Sequence, residues 1–344
     1  MPTKIQTLSA SELLLITQPE KLYSLANCKT EYRSLCSIWH PDRNKNIKAT
    51  EVFQHIKMLF EQTEVKIKSG TWNGPSDLTF TTHKGKTYKF HYKCYQEFDL
   101  GKMYIGATKL MYVVDAEFKD LFDNGVNMIN SIVYPNSAYE DQFKRHFPVV
   151  LFNGETDIGL VLVVEKTLDL ILLKDLLDVM GGKLPMVHTA WVLSTLSNIA
   201  CFLEMNKIAH GALSIDTLWI SPMYHSAVVL GGWWYARKDG DKLLALPSST
   251  LSILPSSVLV DKKAKSSYDR QLIKSIALES LGDKTRIGSM LLTDKSVPNN
   301  ILMWLRGSGE KSAVEDYKAW SKVRDAGLGP RKFVALDIDI HKIY

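Results

Sequence analysis

The chain has 344 residues, room for two or three domains, and its 45% hydrophobic and 23% charged residues fit a globular rather than a disordered or fibrous protein. A formal net charge of +5 suits an acidic partner but is too dilute to call for nucleic acid. Cys28, Cys36, Cys94 and Cys201 stand far apart, with no CxxC pair and no His at ligand spacing, which argues against a zinc site or disulfide framework and for a reducing, cytoplasmic setting.

The opening MPTKIQTLSASELLLITQPEK has too short an apolar run, and no small-residue cleavage site, for a signal peptide. No stretch is expected to approach the 18 to 20 apolar residues of a membrane span, since VLVVEKTLDLILL is interrupted by charge. Helical patterns fill residues 1–70: Leu13 to Ile16 after Ser11-Glu12, a short piece from Pro19, then Tyr32, Leu35, Cys36 and Trp39 at three- and four-residue steps, and Val52, Phe53, Ile56, Leu59 and Phe60 along one face. SGTWNGPSD, inside an expected linker at 71–83 and just before it, is rich in turn formers. From Phe80 the period shifts toward two. YKFHYK, KMYIGAT, LMYVV, PVVLF and GLVLVVE read as five strands, with one helix in Phe118 to Ile132. From Leu170 helices dominate, interrupted by two short strands, LWIS and AVVLGG.

His40, Pro41 and Asp42 fall between two amphipathic helices. Pro41 stops the first, because its ring blocks the preceding turn and its nitrogen carries no proton. Asp42 is left as an exposed acceptor beside His40, while Lys29, Arg33 and Arg43 form a basic surface around the turn. Taken alone, the tripeptide reads as a helix-breaking turn on a solvated face. In this setting it resembles the J domain of DnaJ-type co-chaperones, over about Leu13 to Trp72. The resemblance implies that Lys29, Arg33 and Arg43 steer the module onto an acidic surface of a DnaK-type chaperone, and that His40, Pro41 and Asp42 trigger its ATP hydrolysis. No Gly/Phe-rich segment or zinc-ribbon cysteines follow, so general binding of unfolded chains is not implied.

The later order of strands, helix, strands and helices resembles the protein kinase fold. HGALSIDTLWI (His210 to Ile220) is similar to the kinase catalytic loop, and AVVLGGWWYA takes the place of the strand ending in DFG. The full chain resembles bacterial and phage proteins in which a J domain precedes a kinase-like domain, including an LPSSVL segment and a closing GPRKF. The fold class implied is multidomain: a small all-α J domain at 1–70, then an α+β bilobal kinase-like fold with an N-lobe at 84–168 and a C-lobe at 169–344.

Phosphoryl transfer needs a glycine-rich loop, a strand lysine held by a helix glutamate, acidic and amide ligands for magnesium, and an aspartate facing the substrate hydroxyl. By alignment the phosphate loop retains Gly101 and Gly106, the lysine position falls at Ala116 within Val114 to Glu117, and the glutamate position falls near Asn130. Ala212 replaces the aspartate. Thr217 replaces the amide, with Asp216 beside it as a conceivable substitute, and Gly231 or Gly232 replaces the DFG aspartate, with Gly232 assigned. Lys102 or Lys109 is left as a possible stand-in for the lysine. His210 reads as a packed structural residue and Asp269 as a brace for its loop. The expectation is a pseudokinase with no catalytic residue, cofactor or metal. It acts as a co-chaperone and adaptor for a DnaK-type chaperone and an unidentified protein, with no nucleic acid or membrane partner. The alternatives are an atypical active kinase-like transferase, or an accessory protein that captures a host chaperone.

Overall fold

The structure is a computed structural model describing residues 8–16, 19–24, 27–68, 72, 76–251, 253–254, 256–338 and 343–344. It divides into two compact units, one of Met1–Leu78, Phe90–Gln96 and His341–Tyr344, the other of Thr79–Lys89 and Glu97–Ile340. The expected linker at 71–83 falls partly on residues 71 and 73–75, and LPSSVL partly on 255, which lie outside the described residues.

In the first unit, α1 (Ala10–Leu14), α2 (Cys28–Trp39) and α3 (Ala49–Lys68) enclose one core. Ser9 and Glu12 form a capping box at the start of α1, satisfying amides that the first turn leaves without helical acceptors. Leu13, Leu22, Tyr23, Leu35, Trp39, Val52, Ile56 and Leu59 are buried together, as the three- and four-residue spacing requires. Tyr32 stacks on Phe60 with ring centroids 4.0 Å apart, and the Tyr23 hydroxyl donates to the Ile56 carbonyl at 2.9 Å. These contacts fix α2 against α3.

β1 (Ser76–Thr81) and β2 (Thr87–Tyr92) form a two-stranded ribbon whose residues are shared between the units. The second unit then runs from the end of β3 (Cys94–Phe98) through β4 (Gly101–Ile105), β5 (Lys109–Val114), α4 (Lys119–Asn130), α5 (Ser137–Phe143), β6 (Val150–Thr156) and β7 (Gly159–Glu165). Its main sheet is ordered β4-β5-β7-β6, with Glu97 and Phe98 of β3 at the β4 edge. YKFHYK was expected to be the first strand of this sheet. It pairs with β1 instead, and the edge strand is CYQEF, which the periodicity did not reveal because Lys93 breaks one aromatic-rich run into two strands.

The helical part contains β8 (Ile171–Leu172), α6 (Leu173–Val179), α7 (Met186–Met205), β9 (Ile208–Ala209), β10 (Leu218–Ser221), β11 (Ser226–Val229), β12 (Arg237–Lys238), α8 (Ser248–Leu251), α9 (Ser256–Asp261), α10 (Ser266–Ser280), α11 (Asn299–Arg306) and α12 (Ala313–Leu328). Helix α7 corrects the expectation about membrane spans: by length and composition it is apolar enough to cross one. Two-thirds of its span is buried inside the protein, and the Trp320 indole of α12 donates to Ser194 of α7 at 2.8 Å. A helix apolar on every side is what the centre of a large domain demands. Arg270 of α10, buried, pairs with Glu204 of α7 at 2.8 Å and donates to the Glu310 carbonyl at 3.0 Å, tying the loop before α12 to the core.

Candidate functional site

In the first unit the α2–α3 turn is built by its own polar residues. After Trp39 the backbone leaves the helix, with His40 at φ −60° and ψ 126°, the extended geometry imposed by a following proline. The His40 carbonyl accepts from the amides of Arg43 at 2.9 Å and Asn44 at 2.8 Å. Asn44 donates to the Ile38 carbonyl at 3.0 Å, satisfying one of the acceptors stranded at the helix end. Asn44 and Asn46 then accept from the amides two residues on, two successive Asx turns that lead into α3.

The His40 ring is held edge-on to Phe53, with centroids 5.5 Å apart. Its Nδ1 accepts from the Asp42 amide at 3.2 Å, which leaves Nε2 as the proton-bearing donor. The side chains of His40 and Asp42 are 42% and 85% exposed, and Pro41 and Arg43 are exposed beside them. Lys29 and Arg33, one turn apart on the outer side of α2, are exposed as well. Neither they nor Arg43 pairs with a described carboxylate. The turn therefore presents a donor, a rigid ring and a carboxylate on a basic surface.

In the second unit, pairing of β9 with β12 and of β10 with β11 brings the 210–217 loop against the 230–235 turn. Asp269, buried near the start of α10, accepts from the amides of His210 and Gly211, both at 2.7 Å. Burial pushes the Asp269 carboxyl up to about 7 despite those two bonds. His210 donates through Nε2 to the Gly231 carbonyl at 3.1 Å. Its Nδ1 has no partner among the described residues, and burial drives the ring down to about 3, so it is a neutral spacer between the two loops. The Thr217 hydroxyl donates to the Ala212 carbonyl and accepts from the Ser214 amide, each at 2.9 Å. That hydroxyl closes the loop on itself.

Aromatic side chains occupy the space beneath β5. Buried Tyr112 donates to the Leu230 carbonyl at 3.2 Å, beside the fully buried Trp219. Burial holds its phenol far above the ordinary range, hence protonated. Trp234 meets Tyr112 edge-on at 5.4 Å and stacks on Phe98 at 6.2 Å and Phe122 at 6.0 Å. Asn124 of α4 donates to the carbonyls of Trp234 and Ala236, each at 2.9 Å, and Gly125 lies so close that a Cβ there would stand 2.7 Å from the Trp234 ring.

Among solved structures the chain is similar to vaccinia related kinase 3, with a TM-score of 0.50 and 15% identity, over 73% of this chain and 92% of that one. The fold is protein-kinase-like. No protein-family model matches the sequence, and no curated protein matches it significantly.

Within that fold the positions can be reassigned. Kinases carry the phosphate-binding lysine on the third strand of the sheet, which here is β5. Ala116 is not on that strand: it lies past its end in an exposed 3-10 turn. Tyr112 is the residue of β5 that faces the 230–235 turn. Lys102 is paired with Val113 and Lys109 with Glu165, and alternation places both on the sheet face opposite Tyr112. Asn130 lies away from the turn. It is exposed at the end of α4, whereas Phe122, Asn124 and Gly125 face the turn.

Gly101 follows the two-residue connection Asp99-Leu100 between β3 and β4. A Cβ there would lie 2.1 Å from the Val113 carbonyl oxygen, so its glycine serves strand packing rather than phosphate approach. A side chain at Gly231 would point between the Tyr112 hydroxyl, 3.1 Å away, and Thr217 Cα, 3.2 Å away. Gly231 is thus the residue of this turn that faces Tyr112 and Thr217. Gly232, the residue assigned by alignment, turns the chain at φ 79° toward His210 and Ala212. Asp216 gives its carboxylate to Lys174 at 2.9 Å on the surface. Among the described residues, no group of three His, Cys, Asp or Glu could hold a metal ion.

Proposed function

We propose that this protein is a co-chaperone of the J-domain type whose kinase-like unit is a non-catalytic binding scaffold. The observation that carries the reading is the turn from His40 to Arg43. A histidine and an aspartate are displayed on a hairpin, next to basic residues that pair with no described carboxylate. Such a surface is steered onto an acidic patch and then makes short-range polar contacts, and the partner is a DnaK-type chaperone. The pseudokinase half of the proposal is supported by Tyr112, Ala212, Thr217 and Gly231 standing where phosphoryl transfer needs a cation, a proton acceptor and two metal ligands. Linking the two units concentrates the chaperone on whatever protein the scaffold binds.

The test is steady-state ATP hydrolysis by a DnaK-type chaperone with the full chain and with His40→Gln. Acceleration by the wild type and its loss in the variant are expected. No acceleration by a folded wild type rejects the co-chaperone reading and leaves capture without cycling. A parallel arm adds magnesium ATP to the chain alone. A rise in Tm would favour an active kinase-like transferase over the scaffold.

A further inference from the structure

One basic surface of the second unit is not used by the proposal so far. Residues 239–243 and 261–265 are zipped into a short antiparallel ladder. The Gly240 amide donates to the Ala264 carbonyl, the Ala264 amide to the Asp241 carbonyl and the Leu243 amide to the Lys262 carbonyl, each at 2.8 Å. In that register Lys242 stands directly opposite Lys263, so both side chains leave the same face. Lys262 is the neighbour of Lys263 in sequence, and the Lys207 carbonyl accepts from the Asp239 amide at 2.8 Å, which ties that lysine's backbone to the start of the ladder. All four lysines are exposed.

The carboxylates of the same segments are already committed. Asp239 accepts from the Ser266 amide at 3.0 Å, Asp241 lies 3.8 Å from Arg237, and Asp261 pairs with Lys265 at 2.6 Å. Lys238 donates to the Asn206 carbonyl. Lys207, Lys242, Lys262 and Lys263 have no ion pair with any described carboxylate. Like charges directly opposed across a ladder repel, and an anion supplied from outside removes that repulsion.

We infer that this lysine ladder is the docking surface for an acidic, partly apolar segment of a protein partner. The inference rests on reading the kinase-like unit as a binding scaffold and names the chemistry of what it binds. Apolar character comes from Val260 and Leu244, 80% and 50% exposed, which flank the lysines in sequence. Phosphate groups are usually gripped by the planar fork of arginine, and Arg237 is engaged with Asn124 and Asp241. Single-stranded nucleic acid calls for aromatic platforms, and residues 239–243 and 261–265 contain none. Carboxylates on a flexible peptide fit point charges of this kind.

The test is fluorescence anisotropy of the full chain with a labelled peptide of three Glu-Glu-Leu-Gly repeats at low salt. Comparators are the Gln-Gln-Leu-Gly peptide, its phosphoserine counterpart and a dT12 oligonucleotide. Binding of the glutamate peptide alone is expected, weakening about tenfold in Lys242→Glu/Lys263→Glu. The charge-matched control Lys318→Glu/Lys322→Glu, on exposed residues of α12, keeps wild-type affinity. Overturning results are no binding of the glutamate peptide by the wild type, equal weakening by the control pair, or tighter binding of the phosphoserine peptide or oligonucleotide. ATPase stimulation by Lys242→Glu/Lys263→Glu stays at the wild-type level. Loss of peptide binding with stimulation intact therefore speaks to the ladder, and the reverse speaks to the co-chaperone reading.

Discussion

Replacing Trp234 by alanine tests whether aromatic packing fills the space beneath β5. The indole is 2% exposed, and it touches Phe98, Tyr112 and Phe122. A buried aromatic of this kind removes roughly 150–250 Å² from water, which at about 25 cal/mol per Å² is about 4–6 kcal/mol. Core Trp→Ala changes are measured at about 3–5 kcal/mol, and the lower range is the better expectation because extended-chain areas overstate burial. For a domain of 150–250 residues each kcal/mol moves Tm by roughly 2–4 °C, so a fall of about 6–20 °C is expected. The assay is urea and thermal unfolding by circular dichroism, repeated for Tyr112→Leu, which removes the ring, and for the double variant. Tyr112 and Trp234 are in edge-on contact, so the double variant departs from additivity by about 0.5–1.5 kcal/mol. A loss under about 1 kcal/mol for Trp234→Ala, or strict additivity, refutes the packed-cleft description.

Two further outcomes follow from the same geometry. Gly125→Ala adds helix propensity worth about 1 kcal/mol on an exposed helix face, but here its Cβ meets the Trp234 ring at 2.7 Å and the backbone of Trp233 and Trp234 at 3.2–3.3 Å. Overpacking costs about 1–3 kcal/mol, so the variant is expected to be less stable, and a stabilised variant in thermal unfolding contradicts the close approach of α4. For Asp269 the folded carboxyl is raised from 3.8 to about 7, so the native state holds a proton that the unfolded chain has released between those values. Its contribution is present below about pH 4, falls as pH rises to about 7 and is flat above, by proton linkage. Asp269→Asn removes that slope and lowers stability at every pH, because one of two buried amides loses its acceptor. Urea midpoints at pH 5 and pH 8 for both proteins measure it, and an unchanged pH slope in the variant counts against the assignment.

The helical hairpin was legible because its signals are local. Pro41 must end a helix, and the spacing of Leu35, Trp39, Val52 and Ile56 fixes which sides meet. Asn44 and Asn46 were not singled out in the sequence, although their bonds reach backbone only a few positions away and the signal is equally local. In the second unit the identities of Ala212 and Thr217 were readable from the run after His210, but the residue opposite them was not. Whether position 112 or 116 faces the loop depends on where β5 ends and on the pleat. A strand boundary misplaced by two residues moves the candidate off the sheet, as it did for Ala116. The same holds for Gly231 and Gly232. Both are glycine, and only the path of the turn after β11 decides which one points at Thr217. Asn124 was missed because its bonds span more than a hundred residues, to Trp234 and Ala236, and a buried asparagine in a helix gives no periodic signal.

On the scaffold reading proposed above, restoring single charged groups is not expected to create a phosphate site, and the distances say why. An aspartate at Gly231 has to fit a Cβ 3.1 Å from the Tyr112 hydroxyl and 3.2 Å from Thr217 Cα, before its carboxylate is placed at all. A lysine in place of Tyr112 vacates the bond to Leu230 and leaves an ammonium in a pocket lined by Trp219 and Trp234, where desolvation favours its neutral form. Each change is opposed by the residue that the other change would have to remove. On that reading the aromatic packing and the missing charges are one feature: groups that handle a triphosphate need solvent-sized room around them, and beneath β5 that room is taken by side chains that hold the sheet to the helices.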